Sequence, residues 1–139
     1  MDPRDSPARG PGEEIMVTRV RILVIEDDPD SSDMLLEMLG MADYDVESAR
    51  TADQAIAALK ERRFGAALLD LTLNGVTATE LIARLREVPE RPPLVIFSAR
   101  VPEDLRRAAA QVSAAAVLQK PASMDDLLAT MDRVVRSTA

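Results

Sequence analysis

Short apolar runs of strand length alternate along this chain with segments whose apolar residues recur every three or four positions, and few folds accept that pattern. Val20-Arg21-Ile22-Leu23-Val24-Ile25 is a β-branched run that Asp28-Pro29 breaks. The fixed φ of Pro29 suits a first helical position, with Asp28 available as its cap. Met34, Leu35, Met38 and Leu39 then have helical spacing, and Gly40 predicts a stop. Tyr44 to Ser48 reads as a second, weaker strand. Thr51-Ala52-Asp53-Gln54 has the form of a capping box ahead of Ile56 and Leu59. Phe64 to Leu69 is a continuous apolar strand with Asp70 at its end. Thr77-Ala78-Thr79-Glu80, a second capping box, opens a helix through Leu81, Ile82 and Leu85 that Pro89, Pro92 and Pro93 end. Leu94-Val95-Ile96-Phe97 is a fourth strand, closed by Ser98. Pro102 begins a helix to Gln111. Ala114 to Leu118 is a fifth strand, weakly signalled because Ala is a poor strand former. Ser123-Met124-Asp125-Asp126 caps a last helix whose stripe is Met124, Leu127, Leu128, Met131, Val134 and Val135.

Five strands alternating with five helices imply an α/β fold, a parallel sheet covered by helices on both faces. The 139 residues fit one domain. Residues 1–18 read as a disordered tail, rich in Pro, Gly, Asp and Arg and without an apolar period, and residues 19–139 as the folded domain. Met16 competes with Met1 as the natural start. The core must be aliphatic, because Tyr44, Phe64 and Phe97 are the only aromatic residues. That composition argues against binding nucleic acid by base stacking, and a net charge of −7 would be repelled by a phosphate backbone. The chain has no Cys and no His, which excludes disulfides, zinc fingers and every His-based triad. No apolar run approaches membrane-spanning length, and the N-terminus lacks the apolar core of a signal peptide, so no membrane contact and a cytoplasmic location are expected.

In open parallel sheets, ligands bind outside the carboxyl ends of the strands, where the strand order reverses. Glu26, Asp27 and Asp28 follow the first strand and Asp70 follows the third. Ser98-Ala99 ends the fourth, and Lys120-Pro121 ends the fifth. Clustered carboxylates repel one another unless a cation compensates. A hard divalent ion answers that need, and Mg²⁺ takes one or two carboxylates together with phosphate oxygens. Lys120 adds a compact positive charge suited to a phosphate oxygen, and Ser98 can donate to the same group. Each part alone has a blander explanation, as a helix cap, a loop acid, a solvated lysine or a small turn residue. Their conjunction at separate strand ends points to a phosphoryl group.

These residues resemble the receiver domain of bacterial two-component response regulators, over about Arg19 to Arg136. The resemblance is carried by Ile22-Leu23-Val24-Ile25-Glu26-Asp27-Asp28-Pro29, Ala67-Leu68-Leu69-Asp70-Leu71, Val95-Ile96-Phe97-Ser98-Ala99 and Lys120-Pro121. It implies the flavodoxin-like (βα)5 three-layer sandwich, a parallel five-stranded sheet of order 2-1-3-4-5. It also implies that Asp70 accepts a phosphoryl group from a phosphohistidine on a sensor histidine kinase or phosphotransfer protein. The absence of His fits, since the donor histidine would lie on that partner. By the same resemblance Glu26 and Asp27 form an acidic pocket, and Mg²⁺ is held by Asp27, Asp70 and the backbone carbonyl of Thr72. Ser98 is then the switch hydroxyl and Lys120 pairs with the phosphate. The chain would be no enzyme beyond catalysing its own Mg²⁺-dependent phosphorylation and dephosphorylation. Positions matching Thr72 and Arg100 tune the lifetime of the phosphorylated form.

Departures from the family pattern accompany the matches. The family usually has Pro where Asn74 stands and Gly where Ala78 stands, although Gly75 is retained. An aromatic that rotates with the switch hydroxyl is replaced by Val117, and the aromatic usual after Lys-Pro by Ala122. The expected function is a stand-alone receiver that signals through an unknown downstream protein, with a homodimer left open. The alternative is a receiver-like interaction module that no longer switches. An aspartate-nucleophile phosphohydrolase is disfavoured because Thr72 stands where its second acid belongs. A flavin or dinucleotide protein is disfavoured because no Gly-rich loop follows the first strand.

Overall fold

The computed structural model describes residues 19–99 and 102–137. The tail expected over 1–18 lies outside the described residues, as does Arg100. Five strands form one parallel sheet: β1 (Arg21–Ile25), β2 (Asp45–Ala49), β3 (Ala66–Leu69), β4 (Leu94–Ser98) and β5 (Ala116–Gln119). Between and after them run α1 (Pro29–Met41), α2 (Ala52–Glu61), α3 (Ala78–Arg86), α4 (Pro102–Val112) and α5 (Met124–Ser137). The sheet order is β2-β1-β3-β4-β5, so the expected flavodoxin-like order 2-1-3-4-5 is the observed one.

Successive strand residues point to opposite faces, and the core divides accordingly. Leu23, Ile25, Ala67, Leu69, Leu94 and Ile96 face Ile56 and Leu59 of α2, Leu81 and Leu85 of α3 and Leu105 of α4. Ile22, Val24, Ala66, Leu68, Val95 and Phe97 face Leu35 and Leu39 of α1 and Leu127, Met131 and Val134 of α5. Both faces of β1, β3 and β4 are buried, which is why those strands read as unbroken apolar runs. The outer strand β2 is only half-buried and carries Asp45 and Glu47, charges that discourage edge-to-edge pairing.

The helix caps follow the sequence closely. Asp28 accepts from the Ser31 N–H at 2.8 Å. Thr77 and Glu80 form a complete capping box. At Thr51 only half of the expected box is present: Thr51 accepts from the Gln54 N–H, but the Gln54 side chain accepts from Arg50 instead. Several boundaries differ from the sequence expectation. α1 continues through Gly40 to Met41, because a turn at Ala42 and Asp43 with positive φ at Asp43 ends it. β3 begins at Ala66, not Phe64, and β5 covers 116–119, not 114–118. In both cases only the residues paired with a neighbouring strand are extended ladder, which apolar character alone does not define.

Tyr44 ties β2 to α5. Its hydroxyl donates to Asp132 Oδ1 at 3.0 Å, and the ring is buried. Burial, the hydrogen bond and the Asp132 charge together push its pKa from 10.0 up to about 12. The fold thus favours the neutral phenol: the stability it adds is complete below pH 10.0 and is lost as pH rises through about 12. Tyr44 is the sole tyrosine and there is no tryptophan, so the tyrosinate absorbance reports this group alone. Alkaline titration of the native protein is expected to place its midpoint near 12, and Asp132→Ala to move it down. A native midpoint at the ordinary value would show that the contact does not form.

Candidate functional site

The sheet order reverses between β1 and β3, whose ends are in register at Ile25 and Leu69. The next residue on each strand is an acid, Glu26 and Asp70, and the Asp70 N–H donates to the Ile25 carbonyl at 3.0 Å. Two strands away, β4 and β5 are paired at Ser98 and Gln119, which carries Lys120 to the same edge. The Lys120 N–H donates to the Ser98 carbonyl at 2.9 Å.

Lys120 Nζ joins the two halves of this edge. It donates to Glu26 Oε1 at 2.9 Å and to Asp70 Oδ2 at 3.3 Å. Glu26 is 3% exposed, so its charge needs that partner. Its other oxygen, Oε2, accepts from the Asp28 N–H at 3.2 Å. The Lys120 ammonium also sits 5.1 Å from the centre of the Phe97 ring, within cation–π range. Burial alone would depress the Lys120 pKa. The hydrogen bond to Glu26 and the negative charges of Asp70 and Glu26 outweigh it and raise the value above 10.5.

The loop after β3 completes the edge. The Thr72 N–H donates to Asp70 Oδ1 at 3.0 Å, and the Asn74 N–H donates to Asp27 Oδ2 at 2.7 Å. One short loop therefore orients both carboxylates. Asp28 is turned away, capping α1, and its pKa is lowered chiefly by the Ser31 N–H. Ser98 is fully buried at the end of β4, and its carbonyl accepts from the Lys120 N–H. Thr72 is linked to the site through its N–H. Among the described residues, no group of three or more His, Cys, Asp or Glu side chains is gathered as a ready-made metal cage.

Glu26, Asp70 and Lys120 are thus in direct contact, Asp27 and Thr72 join through the loop, and Ser98 flanks Lys120. Val117 lies on β5 outside this cluster, 38% exposed. Ala122 lines a groove of about 390 Å³ beside Lys120, with Met34, Phe97 and Pro121. Two contributors were not singled out in the sequence as site residues, Phe97 and the Asn74 N–H. Phe97 stood in the fourth-strand run beside Ser98, so its place one residue before the strand end was a usable signal. Asn74 was visible only as a departure, and proline there would have no N–H to give Asp27.

The chain matches the family model described as the response regulator receiver domain over residues 22–132. It is 33% identical over 129 residues to the transcriptional regulatory protein TcrA of Mycobacterium tuberculosis, covering 92% of this chain and 51% of that protein. The chain spans about half the length of the curated relatives it matches. Among solved structures, a sensor protein from Polaromonas sp. JS666 superimposes with a TM-score of 0.78 at 28% identity, over 88% of this chain and 100% of that one. The receiver domain of sensor histidine kinase PA1611 from Pseudomonas aeruginosa, with a magnesium ion coordinated in its active site cleft, shares the fold. Its TM-score is 0.75 at 23% identity, over 86% of this chain and 99% of that one. Among the described residues no helix is long and apolar enough to cross a membrane.

The Lys120 bridge has a measurable stability. Lys120→Met leaves a buried Glu26 carboxylate without its cation, and is expected to cost about 2–3 kcal/mol in urea unfolding. This lies below the range of ~3–5 kcal/mol for a fully buried pair because part of Lys120 is exposed. Adding Glu26→Gln should recover most of the loss. Because the folded pKa of Lys120 is raised, this stabilisation is complete below pH 10.5 and disappears as pH rises through the folded value. A single variant as stable as the parent at neutral pH would refute the bridge.

Proposed function

The chain belongs to the response regulator receiver family, and we propose that Asp70 is its phosphoryl acceptor, loaded from a phosphohistidine on a sensor histidine kinase or phosphotransfer protein. Receivers are signalling domains of two-component systems, for which phosphorylation and Mg²⁺ are typical. The observation that carries the assignment is the ammonium of Lys120 held between Glu26 and Asp70 at the switch point of the sheet.

In the proposed reaction an oxygen of the Asp70 carboxylate attacks phosphorus in line. The phosphorus–nitrogen bond to the donor imidazole breaks, and the leaving nitrogen keeps the electron pair. The product acyl phosphate carries close to two negative charges where the Asp70 carboxylate carried one, a net gain of about one on an already acidic edge. Lys120 can follow that charge without leaving Glu26, because its head already contacts both acids. The Thr72 N–H fixes the orientation of Asp70. Ser98 is proposed as the hydroxyl that then donates to a phosphoryl oxygen. The residues present fit Mg²⁺: the Asp27 and Asp70 carboxylates are hard oxygen donors on adjoining strand ends. An ion that keeps several waters needs no closed cage. Asp27, Asp70 and the Thr72 carbonyl would hold it, with Glu26 alongside, and when bound it would neutralise charge on the phosphoryl oxygens. Phosphorylation would bias a two-state equilibrium read by a downstream protein.

Incubation with acetyl phosphate and Mg²⁺, followed by intact-mass measurement, is expected to give one phosphoryl adduct on the parent and none on Asp70→Asn. An adduct on the variant would move the acceptor elsewhere. No adduct on either would favour the interaction module that does not switch, a reading to which Val117 and Ala122 lend some weight.

Mg²⁺ alone is also expected to raise the melting temperature by relieving repulsion between the carboxylates. Asp27→Ala should abolish most of that rise. An undiminished rise would put the ion at another site.

A further inference from the structure

The opposite end of the sheet carries a second concave surface. A cleft of about 800 Å³ opens where the end of α2 leads into β3, and the loop before β4 forms its other wall. Lys60, Arg62, Arg63 and Arg91 line it, against the acids Glu61 and Glu90. This cationic excess stands on a chain whose net charge is −7. Pro89, Pro92 and Pro93 stiffen the loop wall. A second hollow of about 460 Å³ shares Glu90, Arg91, Pro92 and Pro93 with it.

The cations differ in how their charge is met. Arg62 is paired with Glu47 and Glu61. Arg91 is fixed by neutral partners: Nη2 donates to the Val112 carbonyl at 3.5 Å, and Nη1 donates to both the Leu85 and Arg86 carbonyls, at 3.2 and 3.1 Å. The latter two are the last carbonyls of α3, so Arg91 complements the helix dipole, which amounts to roughly half a charge. The remaining positive charge is held rigidly and unneutralised by any carboxylate among the described residues. Lys60 and Arg63 are exposed and form no ion pair among the described residues. A fixed positive charge flanked by cations that have no carboxylate partner among the described residues suits a segment rich in carboxylates.

We propose that this cleft docks an acidic segment of a partner protein, at a surface separated from Asp70 by the length of β3. A nucleic acid is the weaker fit. The only aromatic in the cleft, Phe64, is half-buried, which leaves no exposed ring on which bases could stack. The proposal is independent of phosphoryl acceptance at Asp70.

The test uses the full chain and a fluorescein-labelled oligo-glutamate peptide, read by fluorescence anisotropy. Saturable binding is expected at low ionic strength, weakening as salt is added. The double variant Lys60→Glu/Arg63→Glu should bind roughly tenfold more weakly. Arg133→Glu, an exposed charge reversal on α5, should bind as the parent does. Adduct formation with acetyl phosphate should be unchanged in the double variant, which separates failure here from failure at Asp70. Absence of saturable binding, or equal weakening by Arg133→Glu, would overturn the proposal. Tighter binding of an oligodeoxythymidine of equal charge would overturn it in favour of a nucleic acid.

Discussion

One ammonium group holds the working edge of this molecule together. Glu26 and Asp70 end two neighbouring strands, and both carboxylates face inward beneath the loops. Two such charges at low solvent exposure are tolerable only with a cation between them, and Lys120 provides it from a strand three places along the sheet from β1. The contact therefore links the amino-terminal half of the chain to its last strand. It also explains why Lys120 is not a solvated strand terminus. Its ammonium sits over the Phe97 ring and reaches past the ends of β4 and β3 to the acids.

That reach depends on the sheet being parallel and closely covered. Every strand of a parallel sheet presents its carboxyl end to the same side, so residues far apart in sequence meet without any special connection. The apolar layers on both faces fix the strand register, and the register fixes which side chains are neighbours. Had β3 slipped by one residue against β1, Asp70 would point to the other face of the sheet and Leu71 would take its place. The site's precision is in this sense a property of Ile25, Leu69, Ile96 and the helices that bury them.

Much of this was legible in the sequence because it is written in periodicity. The apolar runs at Ile22–Ile25, Ala66–Leu69 and Leu94–Phe97 fit central parallel strands, and the acids and serine at their ends followed, with Lys120 at the end of the weaker fifth strand. What periodicity does not encode is the path of loops. Gly40 reads as a stop, yet the helix ends only where Asp43 turns the chain. Gln54 looks like the second half of a capping box, but its side chain found a nearer donor at Arg50. The Asn74 N–H on Asp27 is a main-chain interaction, and no residue identity announces it except by not being proline. The basic cleft escaped for a different reason. Its cations are scattered among acids in sequence, and only the fold brings residues 60–65 beside 89–93.

The Asn74 contact also bears on how the acidic edge would respond to charge. A carboxylate that accepts a short main-chain hydrogen bond is oriented before any ligand arrives, so less ordering remains to be done when one does. The same bond competes for a lone pair that a cation would want. Asp27 has two oxygens, and only Oδ2 is engaged by Asn74 in the contact described. The opposite oxygen is the one such an ion would approach. Asp70 is arranged in the complementary way, with Oδ1 held by Thr72 and Oδ2 by Lys120. In the proposed reaction the attacking oxygen of Asp70 would therefore be released from one of these donors or act while still bonded. The Lys120 contact, at 3.3 Å the longer of the two, is the one a growing negative charge on an incoming phosphoryl group would draw away first.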